Sequence, residues 1–216
     1  MPLKLSKRLT SLLQHCGPDY DAFWDCCCDH GLLGMGLLEQ YPQKTVHFVD
    51  QVSSITAKLA DTLAQLHAQH YQVHTLNAAL IDLPPAQHPL IILAGIGGET
   101  AIELINGIES RHPSGQRHYL ISPNYQLYDL RTFLRQRGFS LLRESLVTEN
   151  GRHNEILLLS NSGGHKNISP CGEFWQKGSA QQRDYCQRLI RHYAQKQQPD
   201  IAAQYTAVAQ QYGLLT

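Results

Sequence analysis

The sequence contains no apolar run approaching the roughly 20 residues of a membrane-spanning helix, so no spanning segment is expected. Its N-terminus, Met1 to Gln14, is basic and amphipathic but lacks the long apolar centre of a secretory signal. Both absences point to a soluble, cytoplasmic protein that does not engage a membrane. Charge is also sparse. Only 17% of residues are charged against 42% hydrophobic, which excludes a disordered chain. No C-x-x-C pair with a matching second pair occurs among the six cysteines, so no structural zinc site, and no metal of any kind, is expected. Cys26, Cys27 and Cys28 are adjacent and cannot build a regular disulfide framework; the plainer reading is small, reduced, buried hydrophobes. Internal repeats and long low-complexity tracts are missing too.

What is present is enough chain for one full domain and a small appendage: 216 residues. The net charge of zero hides an asymmetry. Residues 1–18 carry three basic groups and no acid, and residues 19–110 carry two basic groups and eleven acids. Residues 111–160 and 161–216 each have a net charge of +3. A phosphate-binding surface would have to be assembled from the two ends and the second half of the core. Ordinary solvated faces account for the same charges.

Strand and helix patterns alternate. Residues 4–15 read as a helix stopped by Gly17-Pro18. Apolar strand runs follow at 22–27, 45–49, 73–76, 90–94 and 118–121, with helical runs at 30–40, 54–70, 100–111 and 127–137 between or after them. This alternation implies a parallel sheet covered on both faces. Two further β-rich runs, 139–148 and 153–159, flank Asn150-Gly151, a strong hairpin signal. The expected fold is therefore α/β and Rossmann-like, a mostly parallel sheet ending in an antiparallel hairpin, as is usual by analogy in class I methyltransferases. A loop at 161–169 marks a boundary, and 172–197 and 200–212 read as a C-terminal helical hairpin broken at Pro199.

Five segments fall at the ends of successive strands, on the one edge where open α/β sheets bind ligands. The first runs from Asp25 through Cys26 and Cys27 to Asp29, His30 and Gly31; a helix cap at Asp29 explains it equally well. Asp50, followed by Gln51, closes the second strand at a spacing that suits ribose hydroxyls, of a nicotinamide or an S-adenosyl cofactor alike. Asn77-Ala78 follows the third strand and could meet an adenine edge. Ala94-Gly95-Ile96-Gly97-Gly98 follows the fourth, its glycines suggesting close backbone approach. Ser122-Pro123-Asn124 follows the fifth. No G-x-G-x-x-G occurs at the first turn, which disfavours a nicotinamide-dependent oxidoreductase.

Leu5-Ser6-Lys7-Arg8-Leu9, Asp25-x-x-x-Asp29-His30, Ala94-Gly95-Ile96-Gly97-Gly98, Ser122-Pro123-Asn124 and Asn154-Glu155-Ile156-Leu157 occur in the order of the bacterial tRNA adenosine-22 N1-methyltransferases, the TrmK family, which the chain resembles over residues 4–160. The sequence departs from that pattern at Cys27 for glycine, Cys28 for serine, Ser122 for glutamine, Asn77 for an acid and Asn154 for tyrosine.

The resemblance implies an S-adenosylmethionine-binding domain over 1–160 and a helical appendage over 170–216, in a monomer or weak homodimer whose partner is tRNA. It implies cofactor contacts from Asp25, Cys26, Cys27, Gly31, Asp50, Gln51, Asn77, Ala78, Ala94 and Gly95. Asp29 would stabilise the cation formed on methylating adenine N1, with His30 as proton acceptor or positioner and Asn124 holding the base. Gly97 and Gly98 would shape the pocket for the acceptor base, and Lys7, Arg8, Arg131 and Arg135 would hold RNA phosphates, aided by Arg183, Arg188 and Arg191. Methyl transfer to another acceptor, or a catalytically silent RNA-binding protein, remains an alternative.

Overall fold

The computed structural model describes residues 4–85 and 87–215; Met1–Leu3 of the expected N-terminal segment lie outside them, as does Thr216. The chain begins with α1 (Lys7–Leu13), then alternates β1 (Ala22–Cys26), α2 (Leu32–Gln40), β2 (Thr45–Asp50), α3 (Ser53–Gln65) and β3 (Tyr71–Thr75). It continues through a short 3₁₀ turn, Ala78–Leu80, into β4 (Pro89–Ala94), α4 (Gly98–Arg111), β5 (His118–Ser122) and α5 (Leu127–Gln136). The hairpin β6 (Ser140–Glu149) and β7 (Arg152–Ser160) precedes α6 (Ala180–Gln195) and α7 (Pro199–Gln211).

Seven strands form one sheet in the order β3-β2-β1-β4-β5-β7-β6. β1 to β5 are parallel, and β7 runs antiparallel to both β5 and β6. The reversed strand is thus inserted between β5 and β6. The order switches at β1 and β4, so their carboxyl ends open a crevice between diverging connections. Leu90, Ile91, Ile92 and Leu93 of central β4 are fully buried, as a doubly covered parallel strand requires. On one face Leu12, Leu13, Leu33, Leu37, Leu59 and Leu63 of α1 to α3 pack against Phe23, Val46 and Phe48. On the other, Leu104, Ile105 and Ile108 of α4 and Leu130 and Leu134 of α5 pack against Trp24, Ile91 and Tyr119. Gly34 lets α2 sit close on β2, since a Cβ there would fall 2.1 Å from the Phe48 ring.

Several expected helices are shorter in the structure. α1 starts at Lys7 because the Ser6 hydroxyl accepts the Leu9 N–H as an N-cap. α3 stops at Gln65, and His67 and His70 turn to positive φ instead of carrying the helix on to residue 70. The helix expected from 172 begins only at Ala180. Gly172 and Gly178 take positive φ, and the stretch between them places Trp175 against the C-terminal helices, its indole donating to the Cys171 and Gly172 carbonyls.

The α6–α7 hairpin is docked firmly on the sheet. Tyr185, Tyr193 and Tyr205 pack with Trp175, and Tyr128 of α5 lies edge-on to Tyr193. Beneath them Arg131 is 1% exposed. It donates to Glu155 of β7 at 2.9 Å, to Glu144 of β6 at 2.7 Å and to the Ser169 carbonyl at 3.3 Å. Tyr185 of α6 donates to the other Glu155 oxygen at 2.8 Å. Burial pulls the Arg131 pKa down, but the two carboxylates outweigh it and hold the guanidinium well above its ordinary value. The expectation that Arg131 holds RNA phosphate is therefore corrected: every face of it is spent inside the protein. Arg135 is exposed in the last turn of α5, which runs away from the carboxyl edge of the sheet, so it too stands apart from the crevice.

Candidate active site

The crevice starts at Asp25, the fourth residue of β1. Its carboxyl is 4% exposed and accepts the Gly34 N–H at 2.9 Å, capping the start of α2 from outside the helix. Burial raises its pKa to about 7, with the Gly34 hydrogen bond pulling the other way. The chain then passes through Cys27 (φ 60°), Asp29 (φ 48°) and Gly31 (φ 67°) before α2 begins. Three left-handed residues in five, two with side chains, are a concentration of strain of the kind held at functional sites. Gly31 is the residue preceding α2, so the reading of Asp29 as that helix's cap does not hold. The Asp29 side chain is 67% exposed, and its carboxylate lies 3.8 Å from the His30 ring.

Asp50 ends β2 as expected. Its two oxygens accept the Val52 and Asp29 N–H groups, so it braces the strained turn. Gln51 is exposed beside it. Asn77 accepts the Ala79 N–H and caps the 3₁₀ turn. Ala78 and Cys26 have their side chains in the core under β1 and α4, so cofactor contact by those side chains is corrected. The thiols are reduced: Cys26 and Cys28 are buried, and Cys27 is half-buried with its pKa raised to about 11 by burial and by Asp50 and Asp25.

At the ends of β4 and β5, Asn124 joins three elements. Its N–H donates to the Ile96 carbonyl at 2.8 Å, its side-chain Nδ2 to the Gly95 carbonyl at 2.6 Å, and its Oδ1 accepts from Arg8 of α1 at 3.1 Å. Gly97 and Gly98 are buried beside this junction and serve packing. A Cβ at 97 would strike the Tyr125 ring at 2.7 Å, and one at 98 the Gln126 carbonyl at 2.4 Å. The expectation that these glycines shape the acceptor pocket is therefore corrected: they admit the β5–α5 turn and line neither opening.

Two openings meet here. A cavity of about 410 Å³ is lined by Asp25, Cys27, Cys28, Asp29, His30, Leu33, Ala94 and Gly95. A wider cleft of about 890 Å³ runs between α1, the β6–β7 turn and α6, lined by Ser6, Glu149, Asn150, His153, Asn154, Tyr185 and Arg188. Arg8, Leu9, Asn124 and Arg152 border both. Burial lowers the Arg8 pKa, with Glu149 opposing. Lys7 is exposed and its backbone N–H is held by Glu149, which ties α1 to the hairpin turn.

The sequence reading missed His153, which sits 5% exposed between Thr148 (2.6 Å) and Asp184 of α6 (3.0 Å). The only signal there was the Asn150-Gly151 turn, which revealed a hairpin but not that its tip forms a wall. Among the described residues no group of three or more His, Cys, Asp or Glu could hold a metal, and no helix is long and apolar enough to cross a membrane.

The family model described as a methyltransferase domain matches residues 5–157. A Mycoplasma pneumoniae protein described as a "Putative tRNA methyltransferase" is 29% identical over 133 residues, 60% of this chain; the matched stretch spans 59% of that protein's own length. TrmK of M. capricolum, solved with the cofactor product S-adenosyl-homocysteine, superposes with a TM-score of 0.79 at 14% identity, covering 98% of this chain and 99% of that one. The B. subtilis M1A22 tRNA methyltransferase TrmK gives a TM-score of 0.73 at 16% identity, covering 97% and 99%. These two share the whole fold, including the C-terminal helices.

Proposed function

The chain belongs to the methyltransferase-domain family, and from that premise we propose that it methylates N1 of an adenosine in tRNA, position 22 by its resemblance to TrmK, using S-adenosylmethionine. The observation that carries the reading is the meeting of the two openings at Arg8, Asn124 and Arg152. The smaller is lined by the strained turn with Asp25 and Asp29; the larger runs along the hairpin tip and α6, where Arg188 joins the two shared arginines.

The residues fit the cofactor. Asp25 is a buried carboxyl whose ionisation is opposed by its surroundings, and a cationic amino group would relieve that. The small residues at 94 and 95 leave room at the end of β4. Cys27 keeps the left-handed conformation that a glycine would adopt, so the turn retains its path despite the side chain. When bound, S-adenosylmethionine supplies the methyl group as a sulfonium-activated electrophile.

The protein's own share is orientation and charge. Orienting two reactants in one site can contribute roughly 7–11 kcal/mol. Adenine N1 has an in-plane lone pair, so no base is needed before it reacts. The ring becomes cationic, and the carboxylate of Asp29 at the rim would offset that charge, with His30 beside it as positioner or proton acceptor. An adenine engaged in pairing would have to be turned out to enter. Arg152 and Arg188 line the wide cleft, where phosphates would sit, and α6 of the C-terminal helical hairpin forms one wall of it. A cytoplasmic monomer or weak dimer is in keeping with a tRNA substrate.

Calorimetric titration should show binding of S-adenosylmethionine and none of NAD. Incubation of bulk tRNA with methyl-labelled cofactor should label RNA, and raising salt from 50 to 200 mM should weaken tRNA binding steeply. Cofactor binding without any label in RNA would favour a silent RNA-binding protein or another acceptor.

A further inference from the structure

The Arg8–Asn124 contact has a chemical consequence for the acceptor. An amide side chain has two faces that differ only in donor and acceptor, and its orientation is set by its neighbours. At Asn124 both neighbours are unambiguous. The Gly95 carbonyl can only accept, so it faces Nδ2 at 2.6 Å. The Arg8 guanidinium can only donate, so it faces Oδ1 at 3.1 Å. Flipping the amide would oppose donor to donor and acceptor to acceptor. Arg8 forms no ion pair with a carboxylate among the described residues, and it lies across Gly95, where a Cβ would come within 3.2 Å of its Nη2. It is half-buried on α1, 116 residues from Asn124 in sequence.

This locked amide keeps one free acceptor position on Oδ1, at the border of the two openings. Adenine offers an exocyclic amino donor next to N1. Guanine offers a carbonyl acceptor next to a protonated N1. We infer that Arg8 is a positioning residue: by fixing the Asn124 amide it presents Oδ1 to the exocyclic amino group of the acceptor base, which selects adenine and leaves its N1 lone pair free to react. The inference rests on the proposed adenine-methylating reading. It assigns Arg8 a role beyond phosphate contact.

The test is a double-mutant cycle on the full-length protein: wild type, Arg8→Ala, Asn124→Ala and the double variant, assayed at saturating tRNA. Each single variant should lower kcat by about ten- to hundred-fold, the range for a lost orienting hydrogen bond near the reacting atoms. The double variant should fall no further than Asn124→Ala alone. Losses that multiply would overturn the inference and leave Arg8 as an independent contact. Arg8→Lys keeps the charge but not the planar fork, so kcat should drop while KM for tRNA stays near wild type. If Arg8→Ala does not fold, as judged by its melting curve and its cofactor-induced shift, the same cycle run with Arg8→Lys decides.

A substrate carrying purine riboside, which lacks the amino group, at the mapped target position gives a second readout. Wild type should discriminate against it, and Arg8→Ala should close most of that gap; an unchanged gap would contradict the inference. A wild-type protein that transfers no methyl group to tRNA would sink this inference together with the reading beneath it.

Discussion

The carboxyl of Asp25 and the backbone N–H of Gly34 lie 2.9 Å apart, and this is the only hydrogen bond to that carboxyl among the described residues. One contact both caps α2 and fixes a buried acid at the floor of the smaller cavity. A single amide hydrogen bond does not offset the burial of a carboxylate, which is why the Asp25 pKa rises to about 7.

The sign of the pH dependence follows. Between its ordinary value of 3.8 and about 7 the folded state holds a proton that the unfolded chain has released. Asp25 therefore contributes stability at low pH that is lost as pH rises through that window, at most about 4 kcal/mol at 1.36 kcal/mol per unit. Asp25→Asn should raise the melting temperature of the ligand-free protein at pH 8 by several degrees and flatten its pH dependence. The same variant should bind S-adenosylmethionine at least about tenfold more weakly, since a neutral amide loses one charged partner. In wild type, cofactor affinity should increase as pH climbs from 6 to 8. An Asn variant with unaltered melting and unaltered affinity would remove Asp25 from the account.

Cys27 lines the cavity at φ 60°, where side chains are disfavoured by roughly 1–2 kcal/mol. Cys27→Gly relieves that strain but loosens the unfolded chain by a comparable amount. Its melting temperature should stay close to wild type, and its cofactor affinity should match or exceed it. Cys27→Val adds a branched Cβ in the same conformation and should destabilise by more than about 1 kcal/mol. Equal stability of the two variants in urea titrations would show that the turn relaxes to another conformation.

Arg131→Ala should act on folding and not selectively on RNA affinity. It leaves Glu144 and Glu155 buried without their partner, a loss of about 3–5 kcal/mol, and it undercuts the contact from Tyr185 that holds α6. Limited proteolysis should then cut within 161–179 and release the helical hairpin. A variant that keeps its proteolytic resistance but loses tRNA binding would restore Arg131 to the RNA surface.

The same residue marks where the sequence stops being legible. The parallel core could be read because β4 is an unbroken apolar run and β1 and β5 are apolar but for Asp25 and the two ends of β5, and the hairpin because Asn150-Gly151 has few other uses. The residues at the strand ends could be placed on one edge by topology alone. The pairing of Arg131 with acids 13 and 24 residues away depends on the register of β6 on β7, which periodicity does not encode. An arginine in a basic stretch therefore resembled a phosphate ligand. Gly97 and Gly98 misled for a related reason. Glycine records that something approaches closely, but only the fold reveals that the neighbour is the Tyr125–Gln126 turn. The wide cleft escaped notice because its walls, α1, the hairpin tip and α6, are distant in sequence.

The account depends most on Asp29, exposed in the strained turn that lines the smaller cavity. Mass-spectrometric analysis of nucleosides from tRNA treated with methyl-labelled cofactor tests it most directly. Wild type should yield labelled 1-methyladenosine, and Asp29→Ala should yield almost none while its calorimetric affinity for S-adenosylmethionine stays within a few-fold. Label in any other nucleoside, or an Asp29→Ala protein that still makes 1-methyladenosine at the wild-type rate, would contradict it.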